Sequence, residues 1–145
     1  VVLSKDEVKE WVEANIESLM LSYGVPHWQI TIEYAFDDSS GCAGKCNANP
    51  RYERAKITLN IPIIDDIEDL EKILRHEICH IHHSPFEMVR WALEDALDQL
   101  PGMASTKAAL NSVFHDAMEL TVKNIERLHA GHMEDAQLEN GNPKL

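Results

Sequence analysis

The sequence predicts an α+β domain: an N-terminal helix, a small, mostly antiparallel three-stranded sheet, then three further helices. Three observations predict it. Apolar residues recur at helical spacing over residues 8–20 and again beyond residue 66. Between residues 28 and 61 they alternate instead, with turn residues separating the alternating runs. The strands are therefore gathered ahead of the later helices, an order that fits stacked layers and not a doubly wound sheet.

The first helix opens on a capping box, Ser4 followed by Glu7. Val8, Trp11, Val12, Ile16, Leu19 and Met20 form its apolar face, and Gly24 and Pro26 stop it after Tyr23. Trp28, Ile30, Ile32 and Tyr34 alternate as a half-buried strand, and Asp37–Gly41 is a turn. Residues 43–48 form a weaker second strand, broken by Asn49-Pro50. Ile57, Leu59 and Ile61 mark the third, closed by Pro62. From Asp65 or Asp66 a helix runs to about His82, with acids in its first turn where the helix dipole favours them. Pro85 starts another helix through Phe86, Val89, Trp91, Leu93 and Leu97, and Pro101-Gly102 ends it. A last helix runs from about Ser105 to Ala130, with Leu110, Phe114, Ala117, Thr121 and Leu128 as its core face. Trp11, Trp28 and Trp91 stand at apolar positions and read as core; Tyr52 reads as structural.

The chain has 145 residues, 26% charged and 44% hydrophobic, which suits one globular domain. It is read as a single domain over residues 1–130 with a flexible polar tail over 131–145. No apolar run approaches the ~20 residues of a membrane-spanning helix, and no leader peptide is visible, so a cytoplasmic location is expected. The net charge of −12 disfavours nucleic acid and anionic membranes as partners and favours cations. The three cysteines, Cys42, Cys46 and Cys79, are too few for an all-cysteine zinc site and are expected to be reduced.

His76-Glu77-Ile78-Cys79-His80 is an HExxH sequence on a predicted helix. Positions 76 and 80 lie about 40° apart and one turn along, so both imidazoles can reach one metal ion. Glu77 stands beside them as a general base. Composition alone predicts roughly 0.04 chance occurrences of the motif in such a chain. The helix is also two-sided. Ile67, Leu70, Leu74, Ile78 and Ile81 make one apolar stripe, and the two histidines point roughly 140° away from its centre.

A catalytic zinc site needs a third protein ligand and an open position. The metzincin continuation, Gly-x-x-His two residues further on, is absent. His82 and His83 are too close to fold back onto the same ion and read as solvated helix-end histidines. On the last helix His115, Glu119 and Glu126 share the side opposite the core face, and periodicity does not choose among them. Glu94 is a weaker option and Glu87 too close to the motif.

From the weak second strand onward, the chain resembles the minimal gluzincin-type metallopeptidase domains, including small phage- and prophage-encoded HExxH proteins. The resemblance is carried by Gly44-Lys45-Cys46, by Ala55–Asn60, by Leu74–His80 and by Glu119–Ile125. The last segment is similar to the family's glutamate helix, which implies Glu119 as third ligand, with Glu126 second. The resemblance also implies a zincin-like fold, with a small twisted sheet on the active-site helix and an edge strand along the cleft. It implies zinc held by His76, His80 and Glu119, with Glu77 as general base for hydrolysis of a peptide or protein substrate by a metal-activated water. The strand near Ala43–Ala48 is the expected edge, on which an extended peptide would pair. His115 reads as surface, with oxyanion donor or partner of a ligand as its other roles.

The chain leaves little room for a second subdomain, so narrow specificity is expected. The competing reading is a non-catalytic protein stabilised by a retained metal site, which four protein ligands would favour over an open position. A deformylase-like hydrolase would need a cysteine ligand, for which Cys42 or Cys46 is a strained substitute.

Overall fold

The computed structural model describes the backbone of residues 2–37, 39 and 41–141, with side chains up to residue 131. Asp38 and Ser40 of the predicted turn, and the last four residues, lie outside the described residues.

Helix α1 spans Lys5–Ser22. Ser4 caps it as expected: Glu7 N donates to Ser4 Oγ at 3.3 Å, and Ser4 N donates to Glu7 Oε2 at 2.8 Å. The helix ends where Gly24 adopts a left-handed φ of +72°. That conformation lets Gly24 N reach Leu21 O and Val25 N reach Met20 O, satisfying two carbonyls of the last turn. Val8, Val12, Leu19 and Met20 are buried, and Trp11 and Ile16 pack beside them.

Strands β1 (Gln29–Ala35), β2 (Gly44–Asn49) and β3 (Arg54–Asn60) form a sheet in the order β1-β3-β2. The sheet is mixed where a mostly antiparallel one was expected. Strand β3 pairs antiparallel with β2 and parallel with β1. The cause is the segment after β1, which crosses the end of β3 before β2 begins. Asn60, only 4% exposed, pins that crossing. Its side chain accepts from Asp37 N and donates to Asp37 O and Cys42 O, while its backbone N–H donates to Ala43 O. As expected, β2 is an edge strand.

Helix α2 spans Ile67–Asp98, capped by Asp66, which accepts from Asp69 N at 2.8 Å. Two helices meeting near His82–Pro85 were expected; one continuous helix of 32 residues is found. Proline usually breaks a helix because it leaves the carbonyl four residues earlier without a donor. Here that carbonyl belongs to Ile81, and Ser84 Oγ donates to it at 2.7 Å. The neighbour of the proline thus supplies the bond the proline lacks.

Helix α3 spans Ala104–Gly141, running past the expected end at Ala130. It lies antiparallel to α2, as cross-helix pairs show: Asp98 with Lys107, Arg90 with Asn111, His80 with Glu119, and His76 with Glu126. Its packed face is not the one expected. Leu128 is 65% exposed and Ala117 and Thr121 are exposed, whereas Val122 is buried and Ile125 packs on the core. Trp91, expected in the core, is 46% exposed.

One core cluster joins α1, β3 and the apolar stripe of α2: Val8 and Val12, Ile57 and Leu59, and Leu70, Leu74, Ile78 and Ile81. Each such side chain contributes ~1.5–3 kcal/mol by leaving water. The stripe holds α2 on the sheet and turns its opposite face, with His76 and His80, towards α3. No helix among the described residues is long and apolar enough to cross a membrane.

Candidate metal centre

His76, His80, His83 and Glu87 recur on α2 at spacings that align them on one face, above which α3 lays Glu119 and Glu126. The ring atoms facing α3 converge. His76 Nε2 and His80 Nε2 are 3.1 Å apart. Glu119 Oε2 is 3.7 Å from His76 Nε2, and Oε1 is 3.5 Å from His80 Nε2. Tetrahedral ligands on zinc at ~2.1 Å stand about 3.4 Å from one another. Each residue pair comes near that spacing, one donor atom from each lies within 4.8 Å of the others, and His76, His80 and Glu119 could hold a metal ion. They are the three residues that the sequence offered as candidate ligands.

Glu126, the alternative ligand, takes a different place. Its Oε1 lies 2.8 Å from His76 Nδ1, on the far side of the ring from Glu119. A carboxylate there fixes the ring's orientation and keeps the proton on Nδ1, leaving Nε2 free to bind a metal. His115 is exposed and stands on the rim of the cleft beside Met118 and Glu119. Glu87 and Glu94 both pair with Arg90, at 2.6 and 2.8 Å, and stand outside the donor group.

The expectation for the two following histidines is corrected. Neither is at a helix end, because α2 continues past them. His82 is exposed, with its Nε2 donating to Tyr23 O at 2.8 Å. His83 is not solvated: it is 6% exposed, with Nε2 2.5 Å from His80 Nδ1. Apolar periodicity could not reveal this, since a buried histidine interrupts it. The available signal was the 76-80-83-87 spacing itself.

The electrostatics suit metal binding. Burial, followed by the neighbouring His83, pushes His80 down to about 4, so its ring is neutral at physiological pH, as a metal ligand must be. Burial raises Glu77 to about 7; His76 opposes the rise, and the carboxylates of Glu119 and Glu126 add to it. A carboxyl poised there can both accept and return a proton near neutrality.

Glu77 stands between α2 and the start of β2. A Cβ at Gly44 would meet Glu77 Oε1 at 2.8 Å and Ile73 Cγ2 at 2.8 Å, so the backbone of β2 passes as close as glycine allows. A cleft of about 540 Å³ opens here, lined by Gly44, Cys46, His76, Glu77, His80 and Glu119. A second, of about 820 Å³, shares Gly44, His76 and Glu77 and extends towards Tyr23 and Arg75.

Cys42, Cys46 and Cys79 form no disulfide. Cys79 is buried in the core, away from the donors. Burial, then the charge of Glu77, pushes Cys46 up to about 12. Cys46 stands outside the donor group of His76, His80 and Glu119.

Comparison with known proteins adds one finding. No curated protein and no solved structure matches the chain significantly. A family model described as SprT-like family matches residues 16–91, from the middle of α1 to beyond the HExxH segment, and stops short of α3. That family is zinc metallopeptidase-like, with an HExxH-type motif. The match spans just over half of the chain, its sheet and the helix carrying His76, Glu77 and His80, and the chain therefore belongs to the SprT-like family.

Proposed function

We propose that this protein is a zinc-dependent peptide hydrolase of narrow specificity. The observation that carries the reading is the convergence of His76 Nε2, His80 Nε2 and the Glu119 carboxylate at 3.1–3.7 Å, with Glu77 beside them. Zinc bound there supplies Lewis-acid chemistry, activating a water and polarising a carbonyl. His76 and His80 contribute neutral imidazoles, and Glu119 a charge that offsets the cation. Glu77 takes a proton from water in the cleft and passes it to the leaving amine. Two imidazoles and one carboxylate suit zinc better than the harder magnesium or calcium ions.

The glutamate third ligand supports a gluzincin-type site, and it comes from α3, beyond the residues matched by the family model. The edge strand supports the substrate class. Among the described residues strand β2 pairs with β3 alone, so its outer edge can receive an extended peptide. Gly44 brings that edge against Glu77, so the paired backbone would pass beside the base. The donor group has three members among the described residues, which favours an open catalytic position over a closed structural site.

The test is elemental metal content of the wild type beside His80→Ala and Glu119→Ala, followed by a peptide-library cleavage assay. About one zinc per chain, lost in both variants, with cleavage by wild type but not by a metal-retaining Glu77→Ala, is the expected result. Zinc retained in Glu119→Ala would remove Glu119 from the ligand set. Stoichiometric zinc without cleavage of any peptide would leave a metal-stabilised binding protein.

A further inference from the structure

The buried ring of His83 has no part in the reading above, and its geometry is unusual. Its Nε2 contacts His80 Nδ1, while its Nδ1 is buried with no hydrogen-bond partner among the described residues. Glu126, His76, His80 and His83 thus form a line of contacts from α3 into the interior, at 2.8, 3.1 and 2.5 Å.

The direction of each bond follows from proton counting. A neutral imidazole carries one ring proton. With His76 neutral and Glu126 ionised, the carboxylate only accepts and His76 carries its proton on Nδ1, facing Glu126. His76 Nε2 is then an acceptor, and His80 must donate to it from Nε2. His80 Nδ1 is in turn an acceptor, and His83 donates from Nε2. Every contact is satisfied, and the buried Nδ1 of His83 keeps only an unshared lone pair.

Metal binding reverses half of this line. A metal ligand at His80 Nε2 must give up that proton, which then resides on Nδ1. The contact with His83 survives only if His83 Nε2 becomes the acceptor. The proton of His83 must then sit on its buried Nδ1. Two protons change places within the protein, and none is released. His76 is unaffected, because Glu126 already holds its proton on Nδ1.

We propose that His83 is a positioning residue for His80, and that occupation of the metal centre switches its ring proton from Nε2 to Nδ1. An imidazole thus does for His80 what the Glu126 carboxylate does for His76. The inference rests on the metal-binding reading of His76, His80 and Glu119. It assigns a role to a residue that stands outside the donor group.

The experiment uses the full chain and zinc alone. Long-range proton–nitrogen spectra of the histidine rings report the tautomer with and without zinc, and chelator competition at fixed pH reports affinity. His83 is expected to carry its proton on Nε2 without zinc and on Nδ1 with it. His83→Leu should bind zinc 10–100-fold more weakly. His83→Gln, whose Oε1 can accept the same bond, should stay within about threefold of wild type. A His83 ring that keeps its Nε2 proton on zinc loading overturns the proposal. So does a folded His83→Leu that binds zinc as wild type does. If the leucine variant does not fold, the ring spectra of the wild type decide. Failure of the wild type to bind zinc would instead sink the metal-binding reading itself, and this inference with it.

Discussion

Gly44 and Glu77 are fitted to each other: the space a Cβ would take on Gly44 is filled by the Glu77 carboxyl, at 2.8 Å from Oε1 and 2.9 Å from Cγ. Gly44→Ala must therefore displace the base or push β2 away from α2. Overpacking of this kind costs ~1–3 kcal/mol. The variant is expected to bind zinc normally and to lose most hydrolysis, which metal content and cleavage rate measured together would show. Unchanged cleavage would mean that the close approach has no bearing on the base.

The raised pKa of Glu77 sets a pH dependence of stability in the metal-free protein. Folded, the group titrates near 7; unfolded, near its ordinary 4.5. Between those values the folded chain holds a proton that the unfolded chain has released. Stability from this group is complete below about 4.5 and declines as pH rises towards 7. His80 acts in the opposite sense. Its folded value near 4 lies below the ordinary 6.5, so its contribution is complete above 6.5 and declines as pH falls towards 4. Glu77→Gln separates the two. It should stabilise the metal-free protein at pH 8 by about 2–3 kcal/mol and leave it unchanged near pH 4.5. Denaturant melts of chelator-treated protein at both values check this, and equal effects at both would contradict it.

The two glutamates of α3 should separate by severity. Glu119→Ala removes a donor and should abolish stoichiometric zinc binding. Glu126→Ala removes only the partner of His76 Nδ1 and should weaken zinc 10–100-fold. Glu126→Gln, which can still accept from Nδ1, should fall between Glu126→Ala and the wild type. Titration against a competing chelator ranks them, and the reverse ranking would exchange their roles.

The continuity of α2 depends on Ser84. Ser84→Ala leaves the Ile81 carbonyl without a donor in a buried position and should cost ~1–3 kcal/mol. Pro85→Ala restores a backbone N–H that can reach the same carbonyl. In the Ser84→Ala background it should recover most of the loss. Chemical denaturation of the four proteins in this cycle measures the coupling, and additive effects would show that the hydroxyl has no such role.

Local chemistry was legible in the sequence. The Ser4–Glu7 box, the stop at Gly24 and the pairing of His76 with His80 each depend on residues within one or two helical turns. What was not legible depended on distant partners. Alternation marks a strand but not its neighbour, so the parallel pairing of β1 with β3 was hidden in the crossing held by Asn60. Pro85 reads as a break until the hydroxyl beside it is seen to replace its bond. On α3 the apolar pattern pointed to Leu128 and Thr121. The helix instead docks through Val122 and Ile125 with its acidic side on the histidines of α2. Periodicity put Glu119 and Glu126 on one side of α3 but could not tell which meets the Nε2 atoms and which meets His76 Nδ1.

Helix α3 brings few apolar side chains to the core, and Val122 is its one fully buried residue among those described. Its short connection to α2 lies at the far end, near Asp98 and Lys107, while His76, His80, Glu119 and Glu126 meet well away from that connection. An ion held between the two helices there would act as a clasp. Its departure would let α3 swing away without disturbing the sheet, and its arrival would close the hairpin. Chelation should then speed amide exchange along residues 113–128 well before it affects β3. The candidate metal centre would also be the fastening of its own wall.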